Sequence, residues 1–300
     1  MGWRVVHISK DSYLRFKNHQ LVYKAFDNIN EEITLPLEDI AVIIADNAEI
    51  NFSSVLLREL ANYGIALFTC DASHIPNGLF LPFHQHSRYS EILALQINWG
   101  EPFKKRIWQR VVAQKIANQA AVIEKVHGTR HHRLLKLSQS VLSGDPDNCE
   151  AQAAREYWDN LFANFRRGHE DIKNKALNYG YAILRGCVAR NLVASGFLPA
   201  LGLHHANNLN AFNLADDIIE PFRPFIDEIV FHQFQNLEHT DLKPADKQRL
   251  LAVLSHICAF DQEQITLLKA IERTAETLQK ATREKDHSKL ILPKLLQITT

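Results

Sequence analysis

The sequence predicts an α+β protein, with an N-terminal β-sandwich-like domain followed by a larger all-α domain. Two observations carry this. Residues 1–88 break into short segments rich in β-branched and aromatic residues, separated by Asp, Asn, Gly and Pro. From Ser90 onward the apolar residues instead recur at three- and four-residue intervals, the period of a helix with one buried face.

Trp3–Ile8, Tyr13–Phe16, Gln20–Lys24 and Glu32–Leu35 read as strands, with turns at Asp11-Ser12, Lys17-Asn18-His19 and Asp27-Asn28. Asp39–Ile44 and Ile65–Thr69 are continuous apolar runs, suited to buried strands. Between them Phe52–Asn62 reads as a helix, with Ser53 as its cap and Gly64 as its stop. Pro76-Asn-Gly and Pro82 close this region. After a boundary near residues 85–95, Ile92, Leu95, Ile107, Val111, Ile116, Ala120 and Ile123 mark the first helices. More follow over Leu134–Leu142, Ala151–Phe165, Ile172–Ala194 and Asp217–Leu237, then Lys243–Ser255 and Gln262–Arg283. The expected organisation is residues 1–88, residues 89–283 and a tail over 284–300, open to disorder or to docking on a partner.

A hydrophobic fraction of 46% and a charged fraction of 23% belong to an ordinary globular protein. Its four cysteines are scattered without a Cys-x-x-Cys, which argues against structural zinc and disulfides and suits a reducing cytoplasm. Residues 1–20 do not form a signal peptide and no apolar run approaches membrane-spanning length, so the expected location is cytoplasmic with no membrane partner. Lys plus Arg and Asp plus Glu balance at 34 each, and net charge points to no partner.

The most informative stretch runs from Gly202 to Pro224, where His204-His205 precedes an apolar helix bearing Asp216, Asp217 and Glu220. Asp217 and Glu220 stand one turn apart, on one helical face. Carboxylate oxygen and imidazole nitrogen together suit Mg²⁺ or Mn²⁺. The same residues also fit an exposed acidic helix start before a proline break. Upstream, Gly144-Asp-Pro-Asp-Asn-Cys-Glu150 reads as a turn feeding a helix, with Asp147 or Asn148 as cap and Glu150 in the first turn. A first-turn Glu often does no more than compensate the helix dipole.

These segments carry a resemblance. The run Asn148-Cys-Glu150-Ala-Gln-Ala-Ala-Arg155-Glu-Tyr157-Trp resembles the first metal-ligand motif of the CRISPR-associated spacer-acquisition integrase and endonuclease family. Asn178-Tyr179-Gly180-Tyr181 resembles that family's Asn-Tyr-Gly-Tyr helix, and Gly202-Leu-His-His205 and Asp217-Ile-Ile-Glu220-Pro-Phe-Arg223-Pro resemble its second and third ligand motifs. The wording before Glu220 is most similar to the type II branch. Ala151 stands where many relatives have Gly, and the family's Gly-x-x-His spacing from Gly202 selects His205 over His204.

The resemblance implies Glu150, His205 and Glu220 as catalytic metal ligands for Mg²⁺ or Mn²⁺, within a catalytic, DNA-binding helical domain. Asp217 could be a further ligand or could orient one, and Asn213 and His204 are candidates for similar supporting roles. It also implies a homodimer formed through the β domains, a small partner subunit, and DNA in the form of spacer precursor and repeat. The reaction implied is attack of a 3′-OH on a phosphodiester, giving spacer insertion, with endonuclease activity from the same site.

Residues 104–136 hold Lys104, Lys105, Arg106, Arg110, Lys115, Lys125, Arg130, Arg133 and Lys136, opposed within the span only by Glu124. Clustered basic residues fit phosphate binding, and equally a solvated helix face. Lys104, Lys105, Arg106 and Arg110 are therefore candidate DNA contacts, with Tyr179 as a base or phosphate contact. Arg223 could contact DNA or pair with an acid. Two competing functions use the same residues: a non-catalytic helical DNA-architectural protein, and a metal-dependent phosphoesterase acting on RNA.

Overall fold

The computed structural model describes residues 2–28, 31–82, 87–235, 237 and 239–296. The chain parts into two compact units, residues 1–89 and 90–300, the first built on strands and the second mainly on helices.

The first unit contains β1 (Arg4–Ile8), β2 (Ser12–Lys17), β3 (Gln20–Ala25), β4 (Ile33–Pro36), β5 (Ile40–Ala45), β6 (Ile50–Phe52), helix α1 (Ser54–Asn62), β7 (Ala66–Cys70) and β8 (Pro76–Phe80). One sheet has the order β1-β5-β7-β8 and the other β4-β3-β2-β6. Parallel partners flank β5 on both sides, and it is buried at every position, as its continuous apolar run requires. Asn18 and His19 both take positive φ, giving β2 and β3 the two-residue turn whose twist matches a hairpin. Leu14 and Leu21 from one sheet, Ile43 and Leu67 from the other, and Leu56 and Leu60 of α1 share a single core. Two strands are not visible in the sequence pattern. β6 is too short to show alternation, and β8 starts on Pro76, which is tolerated because β8 is an edge strand.

The second unit contains α2 (Tyr89–Ile97), α3 (Glu101–His127), α4 (His132–Ser140), α5 (Cys149–Leu161), α6 (Ile172–Ala194), α7 (Asn213–Ile219), α8 (Arg223–Phe234), α9 (Pro244–Leu251), strands β9 (Ile257–Phe260) and β10 (Glu263–Thr266), and α10 (Leu267–Glu284). It is not all-α. The β9–β10 hairpin turns at Asp261-Gln262, with Asp261 at positive φ, and this pair lacks the Asn-Gly or Asp-Gly signal that would have announced it. The single helix expected over Asp217–Leu237 is broken into α7, a 3-10 turn over Glu220–Phe222, and α8. Pro221 supplies no backbone donor, and Pro224 fits the opening turn of α8.

Gly180 lets α6 approach α8. A Cβ there would lie 2.6 Å from Ile226 Cδ1. The described residues after Arg283, in a stretch expected as a separate tail, pack back onto their own unit. Leu290, Leu292 and Leu295 are buried, Ala259 and Lys294 exchange backbone hydrogen bonds, and Asn118 of α3 donates to Pro293 O at 3.0 Å. The apolar spacing of those leucines gives the segment a face to bury.

Candidate active site

Four segments build the site. The first is the N-terminus of α5. Asn148 lies in the left-handed region and its side chain caps nothing; Asp145 does the capping instead, accepting from Cys149 N at 2.8 Å and Glu150 N at 3.0 Å. This corrects the expectation of Asp147 or Asn148. The turn fixes Glu150 beside α3, where its Oε1 accepts a hydrogen bond from Lys115 Nζ at 2.6 Å.

The second segment is the Gly202 loop. A side chain at Gly202 would collide with the His205 carbonyl oxygen and lie 2.9 Å from Asp217 Oδ2. Asp217, fully buried at the heart of α7, accepts backbone N–H groups from Leu203 (2.5 Å), His204 (3.1 Å) and His205 (3.1 Å). It also meets His205 Nδ1 at 2.7 Å. With Nδ1 donating to that carboxylate, Nε2 keeps its lone pair, as in metal-ligating histidines backed by an acid. The hydrogen bond to Asp217 raises the His205 pKa, against burial and with help from Glu220.

The third segment is the end of α7 and the turn after it. Glu220 is buried, with Oε1 facing Arg223 Nε at 2.9 Å and Oε2 facing Lys115 Nζ at 2.5 Å. That second contact is a close ion pair in the interior, with the ammonium as the cation nearest Oε2. Burial pushes the Glu220 pKa upward, but Lys115 and Arg223 outweigh it and hold the carboxyl below its usual range. For Lys115, burial works to lower the pKa, and Glu220 and Glu150 overcome it and raise it.

The fourth is α3 itself, which presents Trp108 as well as Lys115. His204 stacks flat on the Trp108 ring, with centroids 4.3 Å apart and planes 1° apart, while His205 meets the same ring edge-on at 5.9 Å. The structure thus separates the tandem histidines: His204 is a stacking residue, and His205 is the one oriented by a carboxylate.

Glu150 and Glu220 come together around one ammonium. His205 is held on Asp217, close enough for Glu220 to act on its titration. Among the described residues no three His, Cys, Asp or Glu side chains group so as to hold a metal ion, and Lys115 stands between the two carboxylates. Asn213 reaches none of these groups. Its amide bonds Ala200 O, Asn207 O and Asn210 O, and it staples the loop.

Several candidate DNA contacts are placed elsewhere. Tyr179 is fully buried, so no base or phosphate can reach it; the Lys247 ammonium lies 5.8 Å from its ring centroid. Arg110 donates to Leu290 O at 2.8 Å, a packing role, and burial lowers its pKa. Arg223 holds Glu220 and lies over the Tyr181 ring at 4.8 Å. Lys104 pairs with Glu101 at 2.5 Å, while Lys105 and Arg106 are exposed, Arg106 on the wall of a cavity of about 700 Å³. Three of the nine basic residues meet acids from other segments: Lys115 meets Glu150 and Glu220, Lys125 meets Glu228, and Arg133 meets Glu156.

Sequence reasoning counted Lys115 only as one of a basic group, and passed over Trp108 and Asp227. The signal for Lys115 was its place on the apolar stripe of Trp108, Val111 and Val112, at i+7 from the tryptophan. Asp227 carried a similar signal, an acid inside the run Pro224-Phe-Ile-Asp-Glu-Ile-Val.

A strand-built unit and a helical unit that gathers two acids and an acid-backed imidazole from distant segments mark a two-unit α+β protein with a charged, partly buried centre. The chain belongs to the family described as CRISPR associated protein Cas1, whose model matches residues 5–256. It is 42% identical over 301 residues to a CRISPR-associated endonuclease Cas1 of Neisseria meningitidis serogroup C (strain 8013), covering 99% of this chain and 98% of the relative. Among solved structures, a casposase bound to integration product is similar with a TM-score of 0.74 at 18% identity, over 96% of this chain and 93% of the other. A chain of a Cas6-RT-Cas1–Cas2 complex gives 0.72 at 19% identity, over 99% of this chain and 36% of that longer one. At those identities the structural likenesses show a shared fold.

Proposed function

We propose that this chain is a divalent-metal-dependent DNA endonuclease and integrase that inserts new spacers into a CRISPR array by attack of a 3′-OH on a phosphodiester. One observation carries the reading: Glu150 and Glu220, seventy residues apart, each place an oxygen within 2.6 Å of a single cationic head. A buried carboxylate, Glu220, facing the partly buried Glu150 demands a cation between them, and carboxylate oxygens suit a hard divalent metal. Glu150, Glu220 and His205 would hold Mg²⁺ or Mn²⁺, which supplies Lewis-acid stabilisation of charge on the phosphoryl group. Asp217 orients His205 from behind, and Arg223 neutralises the far oxygen of Glu220.

The remaining parts of the reading follow from the family and from the relatives' names. A casposase bound to integration product supports DNA joining as the reaction, and a Cas1–Cas2 complex supports a small partner subunit. Homodimerisation through the strand-built unit and action in the cytoplasm complete the proposal. No described helix is long and apolar enough to cross a membrane.

The test is Mn²⁺-dependent strand transfer of a 3′-OH DNA end into a repeat-bearing plasmid. Glu150→Ala, His205→Ala and Glu220→Ala should each abolish joining while their melting transitions remain cooperative. Full joining by any two of these variants overturns the assignment. Salt-sensitive DNA binding without metal-dependent joining would support the architectural alternative, and preferential cleavage of RNA over branched DNA the phosphoesterase one.

A further inference from the structure

We propose that Lys115 is a built-in counter-cation, which holds Glu150 and Glu220 together in the metal-free protein and must leave them for a divalent ion to bind. This rests on the reading that the two carboxylates are metal ligands. It adds that their resting partner is a side chain of the same fold, so that metal binding is an exchange of cations.

The geometry supports the exchange at three points. Lys115 Nζ is the only described group bridging the acids, at 2.6 Å from Glu150 Oε1 and 2.5 Å from Glu220 Oε2; Arg223 reaches only Glu220. Without the ammonium, two carboxylates facing one small space, one of them 6% exposed, would repel each other. The bridge also ties the start of α5 and the end of α7 to α3, keeping the site assembled.

A divalent ion bound by the same two oxygens must occupy the space where the ammonium sits. Two cations at that separation repel strongly in a poorly solvated site. Lysine suits a group that has to move: it is a point charge on a flexible stem, whereas the guanidinium of an arginine would lock both carboxylates in a fixed fork. Lys115 is therefore a positioning residue. It maintains the cradle when the metal is absent, and it weakens the metal's apparent affinity by competing for the same oxygens.

The experiment uses the full chain and Mn²⁺ alone, without DNA. In calorimetric titration, Lys115→Met should bind Mn²⁺ about tenfold more tightly than the parent or better, because a competing positive charge is gone. Its metal-free melting temperature should fall, and Mn²⁺ should restore it by more than it raises the parent's. An affinity equal to or weaker than the parent's overturns the proposal.

A second measurement needs no variant. Lysine acylation read by mass spectrometry should label Lys115 slowly in the metal-free parent and several-fold faster with saturating Mn²⁺, with other lysines as internal controls. Labelling that is unchanged or slowed by metal also overturns the proposal. Glu150→Gln and Glu220→Gln separate the two levels of inference. If both bind Mn²⁺ as the parent does, the metal assignment itself fails. If they lose binding while Lys115→Met gains none, only the exchange fails.

Discussion

His205 Nδ1 lies 2.7 Å from Asp217 Oδ1, and this contact converts a half-exposed ring into an oriented one. The same carboxylate takes three backbone donors of the loop that carries the histidine, so the ring and its main chain are set by one group. Asp217→Ala should therefore act twice. Freeing three N–H groups, of which that of Leu203 is buried, should cost stability, roughly 1–3 kcal/mol for a donor that water cannot reach. Loss of the orienting bond should reduce strand transfer by about 10–100-fold. His205→Ala should instead remove activity with little change in the denaturation midpoint. Equal stability losses in the two variants would contradict this division.

Asp227 should make the fold less stable as pH rises from acid toward neutrality. It is fully buried, and burial lifts its pKa from 3.8 to about 7, against the hydrogen bonds it accepts from Tyr181 and Tyr157. Between those two values the folded chain keeps a proton that the unfolded chain has released. Stability from the neutral carboxyl is thus fully present below pH 3.8 and is lost as pH rises toward 7. Asp227→Asn removes that titration. In urea denaturation from pH 5 to pH 8 the parent should lose ground against the Asn variant up to about pH 7, at up to about 1.4 kcal/mol per pH unit, and level off beyond it. A difference that stays constant over this range would show that Asp227 is not the titrating group.

The division between strands and helices was legible because it rests on periodicity, and burial enforces periodicity directly. Ile172–Ala194 is a helix over the predicted span, and Ser53 caps α1 as expected, accepting from Leu56 N. Features that depend on distant partners were not legible. Asp145 caps α5 with both carboxylate oxygens while Asn148 caps nothing, a choice that composition does not reveal. The basic stripe of residues 104–136 is partly neutralised for the same reason, since the acids on Lys115, Lys125 and Arg133 arrive from other segments. Glu150 and Glu220 could be named from motif resemblance, but the ammonium between them could not.

Gly180→Ala should destabilise the helical unit without touching the charged groups. The added methyl would meet Ile226 Cδ1 at 2.6 Å and Cγ2 at 2.8 Å, too close for the Ile226 side chain to stay where it is. Overpacking of this kind costs about 1–3 kcal/mol. Relief by Gly180→Ala combined with Ile226→Val should recover part of the loss, because the terminal methyl it deletes is the nearest clash. A double variant no more stable than the single one would mean that the helix backbones, and not this side chain, set the close approach.

His204 and His205 should respond oppositely to alanine, although they are adjacent. His204 lies flat on Trp108, and a stacked pair of this kind adds about 0.5–1.5 kcal/mol beyond area burial. His204→Ala should lower stability by about that amount and leave most of the strand-transfer rate, because the histidine on Asp217 remains in place. Trp108→Ala should be far worse, on the order of 3–5 kcal/mol, since the indole is 2% exposed and supports both imidazoles. The discriminating measurement is the ratio of activity to folded fraction across the three variants. That ratio should stay near the parent's for His204→Ala and collapse for His205→Ala. If His204→Ala collapsed it as well, with folding unchanged, the tandem histidines would share the chemistry that the geometry gives to His205 alone.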